Sequence, residues 1–150
     1  MRRTLITATG WTGFIFAIYV FLGFRAAPPQ TIGEGEVCYR CHRVIANARL
    51  AAEIMDRNLP TKYKTAGCMA AYVATHPSDA SRYYVTDFVS GGLIEAGHAF
   101  FVPVVVNDKT NDRDYRAYLS RGMAEIAAQV LGVEVIRWNA VVERARVVRV

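Results

Sequence analysis

The longest apolar stretch of the chain lies near its N-terminus. Residues 5–24 carry no charged side chain, and a helix of about 20 residues, at about 1.5 Å per residue, spans the hydrocarbon core of a bilayer. Arg2 and Arg3 precede this run, and positive charges beside a membrane segment favour the cytoplasmic side. We therefore predict an N-terminal single transmembrane helix within residues 1–25, with the N-terminus in the cytoplasm.

A cleaved signal peptide is the alternative, because Ala26 and Ala27 offer small side chains to a peptidase. The apolar run is, however, longer than the roughly 7–15 residues of a typical signal-peptide core. A retained anchor is favoured, and it makes this a single-pass protein of the inner (cytoplasmic) membrane with a periplasmic or otherwise extracytoplasmic domain. Residues 26–36 are rich in proline and glycine and predict a linker.

Beyond the linker, short apolar runs separated by polar turns predict one α+β domain over residues 37–150. The predicted elements are strands at residues 50–55 and 61–65, a helix at 66–75, strands at 83–89, 93–106 and 115–119, a helix from Ser120 to Gly132, a strand at 133–138 and a basic, apolar tail at 141–150. Residues 107–114 are predicted to form a polar loop. This order predicts two β-β-α units, each with a helix covering its strands.

Two features of the predicted helices concern core packing and thiol chemistry. After Ser120, apolar residues recur on one helical face, which we expect to lie in the core; they are Met123, Ile126, Ala127, Val130 and Leu131. Cys68 falls in the first turn of the earlier helix, where the helix dipole would favour a thiolate.

The charge pattern and the absence of known signatures exclude several function classes. The formal net charge of +5 is spread along the chain without a long basic block or a nucleic-acid-binding motif, so we expect no nucleic-acid partner. The sequence contains no nucleophile elbow, phosphate-binding loop or zinc-protease signature. Glu53, Asp87 and Glu95 fall on separate predicted strands and suggest no acid/base pair. We therefore expect that the protein is not an enzyme.

The candidate chemistry is concentrated in residues 38–42, Cys-Tyr-Arg-Cys-His, which hold two of the three cysteines and one of the three histidines. One interpretation is a soft-metal site, because Cu(I) prefers thiolate and thioether ligands. Its candidate ligands are Cys38, Cys41, Cys68 and Met69.

A second interpretation is covalent haem, because Cys-x-x-Cys-His is the attachment signature of c-type cytochromes. Cys38 and Cys41 would bond the vinyl groups of haem c, and His42 would be the proximal iron ligand. A third interpretation is structural: the three cysteines would form a disulfide or stay as thiols, and the domain would carry no cofactor.

Taken together, these segments resemble the NosL-like family, the nitrous oxide reductase accessory proteins, which deliver copper outside the cytoplasm. The blocks that carry the resemblance are Cys38-x-x-Cys41, residues 49–53 (RLAAE), 66–69 (AGCM), 84–88 (YVTDF), 94–96 (IEA), 99–102 (AFFV) and 135–138 (VIRW). Their order and spacing, rather than any single block, resemble the family. The resemblance implies a ββα-type α+β domain.

The chain departs from the family where metal would bind. Cys41 is followed by His42 and Arg43, where the family often has glycine and methionine, and residues 107–114 contain no sulfur or imidazole, where the family usually has a methionine pair. The family is commonly lipid-anchored, whereas this chain has a predicted membrane helix. We therefore expect an accessory or structural subunit of a membrane electron-transfer complex, respiratory or photosynthetic, in contact with the other subunits. The alternatives are a Cu(I)-binding assembly factor and a monohaem c-type electron carrier.

Overall fold

The computed structural model describes residues 28–79, 81–107 and 112–147, and these residues form an α+β domain, as predicted. In chain order, the elements are β1 (Ala52–Asp56), β2 (Leu59–Tyr63), α1 (Ala66–Val73), β3 (Ser81–Thr86), β4 (Leu93–Glu95), β5 (Phe100–Asn107), β6 (Asp112–Tyr118), α2 (Arg121–Leu131) and α3 (Trp138–Val147). Within these ranges no helix has the length and apolar character needed to cross a bilayer. The anchor predicted within residues 1–25 lies outside the described residues.

Four strands form one antiparallel sheet in the order β2-β1-β3-β4, and β5 pairs with β6 in a separate two-stranded sheet. The hairpin between β1 and β2 turns at Arg57 and Asn58, whose φ angles are 44° and 67°. Two-residue hairpin turns of type I′ have positive φ at both positions. The two strands therefore pair directly on either side of residues 57 and 58.

The main core lies where α1 and α3 pack together against strands of both sheets. Its largest buried side chains include Tyr63, Met69 and Phe101, all fully excluded from solvent. Trp138 at the start of α3 packs against the rings of Phe101 and Tyr83, with centroid distances of 5.7 and 6.0 Å. Both sheets and both helices thus contribute to one core.

The prediction of a single strand at residues 93–106 is wrong. The structure divides it into β4, at the edge of the four-stranded sheet, and β5, in the other sheet. The break is a turn in which His98 N–H donates to the Glu95 carbonyl at 3.0 Å and Ala99 N–H donates to the Ala96 carbonyl at 3.3 Å. These local hydrogen bonds replace strand pairing, so the chain changes sheets at this turn.

The predictions of a strand at residues 133–138 and of a tail after it are also wrong. Ile136 makes only an isolated bridge with Phe101, and a helix, α3, begins at Trp138. The first half of the domain does form the predicted β-β-α unit. The second half has four strands in two sheets and two helices. The segment that begins at Trp138 forms a helix because it packs against α1.

The ends of α2 are as predicted, but its buried face is not. The Ser120 side chain accepts a hydrogen bond from Met123 N–H, and Gly132, with φ of 64°, ends the helix. Ala124 and Ala128 face the core, and they are small enough to let the helix approach Val102 and Tyr118 closely. The large apolar residues expected in the core are exposed instead; they are Met123 at 43%, Ile126 at 60%, Val130 at 81% and Leu131 at 45%.

Residues 28–36, the described part of the predicted linker, pack along the domain as an extended strap. Ile32 is buried, and the Gln30 N–H donates to the Glu53 carboxylate at 3.0 Å. Lys62 Nζ pairs with the Glu36 carboxylate at 2.8 Å. The strap thus leads directly into the segment that carries Cys38.

Candidate metal centre

Cys38 and Cys41 lie on a tight turn closed by backbone hydrogen bonds. His42 N–H donates to the Cys38 carbonyl and Cys38 N–H donates to the Arg43 carbonyl, each at 2.9 Å. His42 adopts φ of 55°, a left-handed conformation that costs most residues roughly 1–2 kcal/mol. Tyr39 N–H donates to the Lys62 carbonyl at 2.9 Å, which fixes the turn to β2.

Cys68 is held by the first turn of α1. The Thr65 hydroxyl caps this helix by accepting from Cys68 N–H at 3.1 Å. Asp114 of β6 accepts from Gly67 N–H at 2.9 Å and from Tyr115 N–H at 2.9 Å. A Cβ atom on Gly67 would lie 2.9 Å from Asp114 Oδ1, so the close fit of α1 to β6 requires glycine at this position.

These two elements bring the three cysteine sulfurs together. Cys68 Sγ lies 3.7 Å from Cys38 Sγ and 3.7 Å from Cys41 Sγ, and all three sulfurs are within 4.8 Å of one another. With metal–sulfur bonds of about 2.3 Å, sulfurs around one ion are about 3.8 Å apart in a tetrahedral site and about 4.0 Å apart in a planar three-ligand site. The observed spacing therefore suits a single thiolate-bound ion.

The cluster contains three sulfurs and, among the described residues, no histidine nitrogen or carboxylate joins it. Cys38 and Cys68 are buried, and Cys41 is half-buried. An ion bound here would be shielded by protein on one side and reachable from solvent through Cys41 on the other.

The Cys38 and Cys68 thiols are not equivalent. Burial tends to raise the pKa of Cys38, but hydrogen bonds from the backbone N–H groups of Cys41, Lys64 and Arg40 outweigh it and hold this pKa below its ordinary value of 9.0. Burial, followed by the charge of Cys38, raises the pKa of Cys68 to about 12. We expected the helix dipole to favour a thiolate at Cys68, but desolvation and the neighbouring sulfurs act in the opposite direction and raise its pKa.

An aromatic group lies beside the cysteines. The rings of Tyr39, Tyr63 and Tyr72 contact one another with centroid distances of 5.6–6.2 Å. Tyr63 is fully buried in the same core cluster as Cys38 and Cys68, and its hydroxyl has no hydrogen-bond partner among the described residues. Tyr63 and Tyr72 thus belong to the apolar surroundings of Cys38 and Cys68.

The other predicted site residues are placed differently. Met69 is fully buried in the core cluster that includes Cys38 and Cys68. The His42 side chain is exposed, so the structure brings the three cysteines together and leaves the predicted haem ligand in solvent. Sequence reasoning missed Thr65, although a threonine directly before a helix is a recognisable cap. It also missed Asp114, for which the sequence carries no signal.

No known protein-family model matches the chain, and no curated protein matches it either. The NosL-like resemblance therefore stays a prediction.

Proposed function

We propose that the domain binds one Cu(I) ion through Cys38, Cys41 and Cys68. The spacing of their sulfurs is the observation that carries this proposal. Thiolates are soft ligands that suit Cu(I) and zinc. Structural zinc sites almost always have four protein ligands, whereas Cu(I) accepts three, and three cysteine sulfurs converge here with no histidine or carboxylate among the described residues.

The surroundings of the cluster support a site that holds copper and releases it to a partner. Cys38 and Cys68 lie in the apolar core, which shields the ion from water and oxidants. Cys41 is partly exposed, so a ligand of a partner protein could reach the ion from that side.

The wider role that we propose is that of an accessory protein of a membrane electron-transfer complex, anchored through residues 1–25 with its domain outside the cytoplasm. In this setting it acts as a Cu(I)-binding assembly factor. A purely structural subunit would have the same topology, but it would not need three converging sulfurs.

Covalent haem stays a prediction that the structure supports less well. Haem c attachment needs both thiols at the haem edge, whereas the Cys38 thiol lies in the core, 3.7 Å from the Cys68 thiol. His42 stands at a positive φ angle, where glycine is the least strained residue. Its side chain is therefore dispensable for the turn.

The direct test is an anaerobic titration of the purified full-length protein with Cu(I) in competition with a chromophoric chelator. We expect one tightly bound ion per chain, a large loss of affinity in Cys68→Ser, and no loss in His42→Gly. Affinity no greater than that of a variant with all three cysteines replaced by serine would contradict the proposal. Haem in the protein as isolated, lost in His42→Gly, would establish the haem alternative.

A further inference from the structure

One face of α2 carries a row of large apolar side chains that the domain does not cover. On α2 itself, Met123 is 43% exposed, Ile126 60% and Val130 81%, and their spacing places them on one side of the helix. Leu119, which is 59% exposed, lies just before the helix, next to its cap Ser120, and we include it as the start of the row. We call this row the apolar stripe. Scattered exposed apolar residues are common, but a continuous row marks a contact surface. Because Ala124 and Ala128 face the core, the stripe is free to contact something outside the domain.

The stripe begins close to the point where the described chain starts. Pro28 and Pro29 border the same cleft as Arg49 and the turn at residues 87–92. Arg49 donates to the carbonyls of Phe88 and Val89 at 2.6 and 2.7 Å, and Val89 is itself an exposed apolar residue.

The same turn is bonded to the first residue of the stripe. The Asp87 carboxylate accepts hydrogen bonds from Leu119 N–H at 3.0 Å and Ser90 N–H at 2.9 Å. Phe88 N–H also donates to the Ala117 carbonyl at 2.8 Å. The turn therefore connects the start of the described chain to the start of the stripe.

The chain that precedes Pro28 indicates what covers the stripe. The uncharged apolar run of residues 5–24 ends four residues before Pro28, and a fully extended connection of this length spans about 14 Å. If residues 5–24 span a bilayer, Pro28 and the turn beside it lie near the membrane surface. The stripe begins on this side of the domain.

We propose that the apolar stripe of α2 lies in the headgroup region of the membrane that holds residues 5–24. Amphipathic helices bind membranes in this orientation, with the apolar face towards the acyl chains and cationic side chains near the lipid headgroups. Arg49 and Arg116 lie beside Phe88, whereas Arg121, the first residue of α2, pairs with Glu125 at 2.8 Å. Phosphate groups of anionic lipids would pair with the guanidinium groups of Arg49 and Arg116.

A second copy of the chain is a weaker candidate for covering the stripe. Stable protein interfaces bury about 800 Å² per partner, which is more than four side chains along an 11-residue helix provide. The inference depends on the predicted anchor but not on copper binding, so each can fail separately.

The test uses the full-length protein in nanodiscs that contain one copy each, made of phosphatidylcholine and phosphatidylglycerol with brominated acyl chains. Bromine quenches tryptophan fluorescence at short range. Trp11 is replaced by phenylalanine, and Ile126→Trp places a probe on the stripe. Trp138, which is buried in the core, stays in every variant and supplies the same background fluorescence, which is subtracted. Leu59→Trp is the matched control, because Leu59 is an apolar residue, 71% exposed, on β2. That strand lies at the opposite edge of the sheet from β4.

We expect strong quenching of the tryptophan at position 126 and little at position 59. Equal quenching at both positions, or none at position 126, would overturn the inference. Quenching at position 126 that is lost when each disc holds two copies, because a second chain then shields the probe from lipid, would overturn it in favour of a second chain. In the parent protein, quenching of Trp11 reports separately whether residues 5–24 enter the bilayer, and circular dichroism of each variant shows that the domain is folded.

Discussion

At the scale of single residues, the pKa values of the Cys38 and Cys68 thiols shift in opposite directions because their surroundings differ. Backbone N–H groups lower the pKa of Cys38, while burial raises that of Cys68 to about 12. The spacing of Cys38 and Cys41 was readable from the sequence as a pair that can bind one ion. The sequence could not show how Cys68 is positioned, because Asp114, which holds its helix, lies 47 residues from Gly67.

The raised pKa of Cys68 predicts how copper affinity changes with pH. Cu(I) binds the thiolate, so binding must release the proton that Cys68 carries at neutral pH. If each ion releases one proton, the affinity for Cu(I) rises about tenfold for each pH unit. We therefore expect at least this increase between pH 6 and 8. The measurement is the chelator competition repeated across this range with a chelator of known pH dependence, and a pH-independent affinity would exclude Cys68 as a ligand.

A second pH effect concerns Glu53, which is fully buried and has one carboxylate oxygen without a partner among the described residues. Burial raises its pKa above 4.5, so the folded state binds this proton more tightly than the unfolded state. Its contribution to stability is therefore present below pH 4.5 and is lost as the pH rises through the folded-state pKa. We expect Glu53→Gln to show a smaller loss of stability between pH 4 and pH 8 in urea denaturation. An identical pH profile in both proteins would argue against this account.

At the scale of elements, caps and turns were predictable and packing partners were not. Ser120 and Gly132 define the ends of α2 through local chemistry that a sequence displays. The face that α2 buries depends on how close the helix comes to β5 and β6, and this close approach selects Ala124 and Ala128 over the larger residues. The helix α3 was missed for the same reason, since its packing against α1 is a tertiary contact.

The fit of α1 against β6 predicts opposite effects of two glycine substitutions. Gly67 and Gly122 are each the second residue of their helix, where alanine normally stabilises by about 0.5–1 kcal/mol relative to glycine. In Gly67→Ala, the new methyl group would meet Asp114 Oδ1 at 2.9 Å, whereas the nearest atom to it in Gly122→Ala is 4.0 Å away. We expect Gly67→Ala to lower both the unfolding free energy and the Cu(I) affinity.

Gly122→Ala serves as the matched control and should raise the unfolding free energy while leaving the Cu(I) affinity unchanged. Urea denaturation and chelator competition measure the two quantities. Equal stabilisation by both substitutions would show that the contact between α1 and β6 does not position Cys68.

At the scale of the whole molecule, the cysteine cluster joins two segments that are far apart in sequence. The turn at residues 38–42 follows the strap, and Cys68 lies on a helix held by β6. A metal bound to all three sulfurs would cross-link these segments and would bind the folded state in preference to the unfolded state. The overall class of the domain and its cysteine motif were visible in the sequence, but their convergence at one site depends on the complete fold.

This cross-link predicts that copper stabilises the domain against heat. We expect the melting temperature to rise when one equivalent of Cu(I) is added to the full-length protein under anaerobic conditions, and not to rise in Cys68→Ser. Thermal unfolding followed by circular dichroism measures the change. An equal shift in the serine variant would indicate that copper binds elsewhere.

Copper-edge X-ray absorption of the full-length protein loaded with one equivalent of Cu(I) tests the coordination most directly. The proposed site predicts three sulfur ligands and no nitrogen ligand, with one sulfur replaced in Cys68→Ser. A two-coordinate site that is unchanged in Cys68→Ser, or an imidazole ligand that is lost in His42→Gly, would contradict the three-thiolate site.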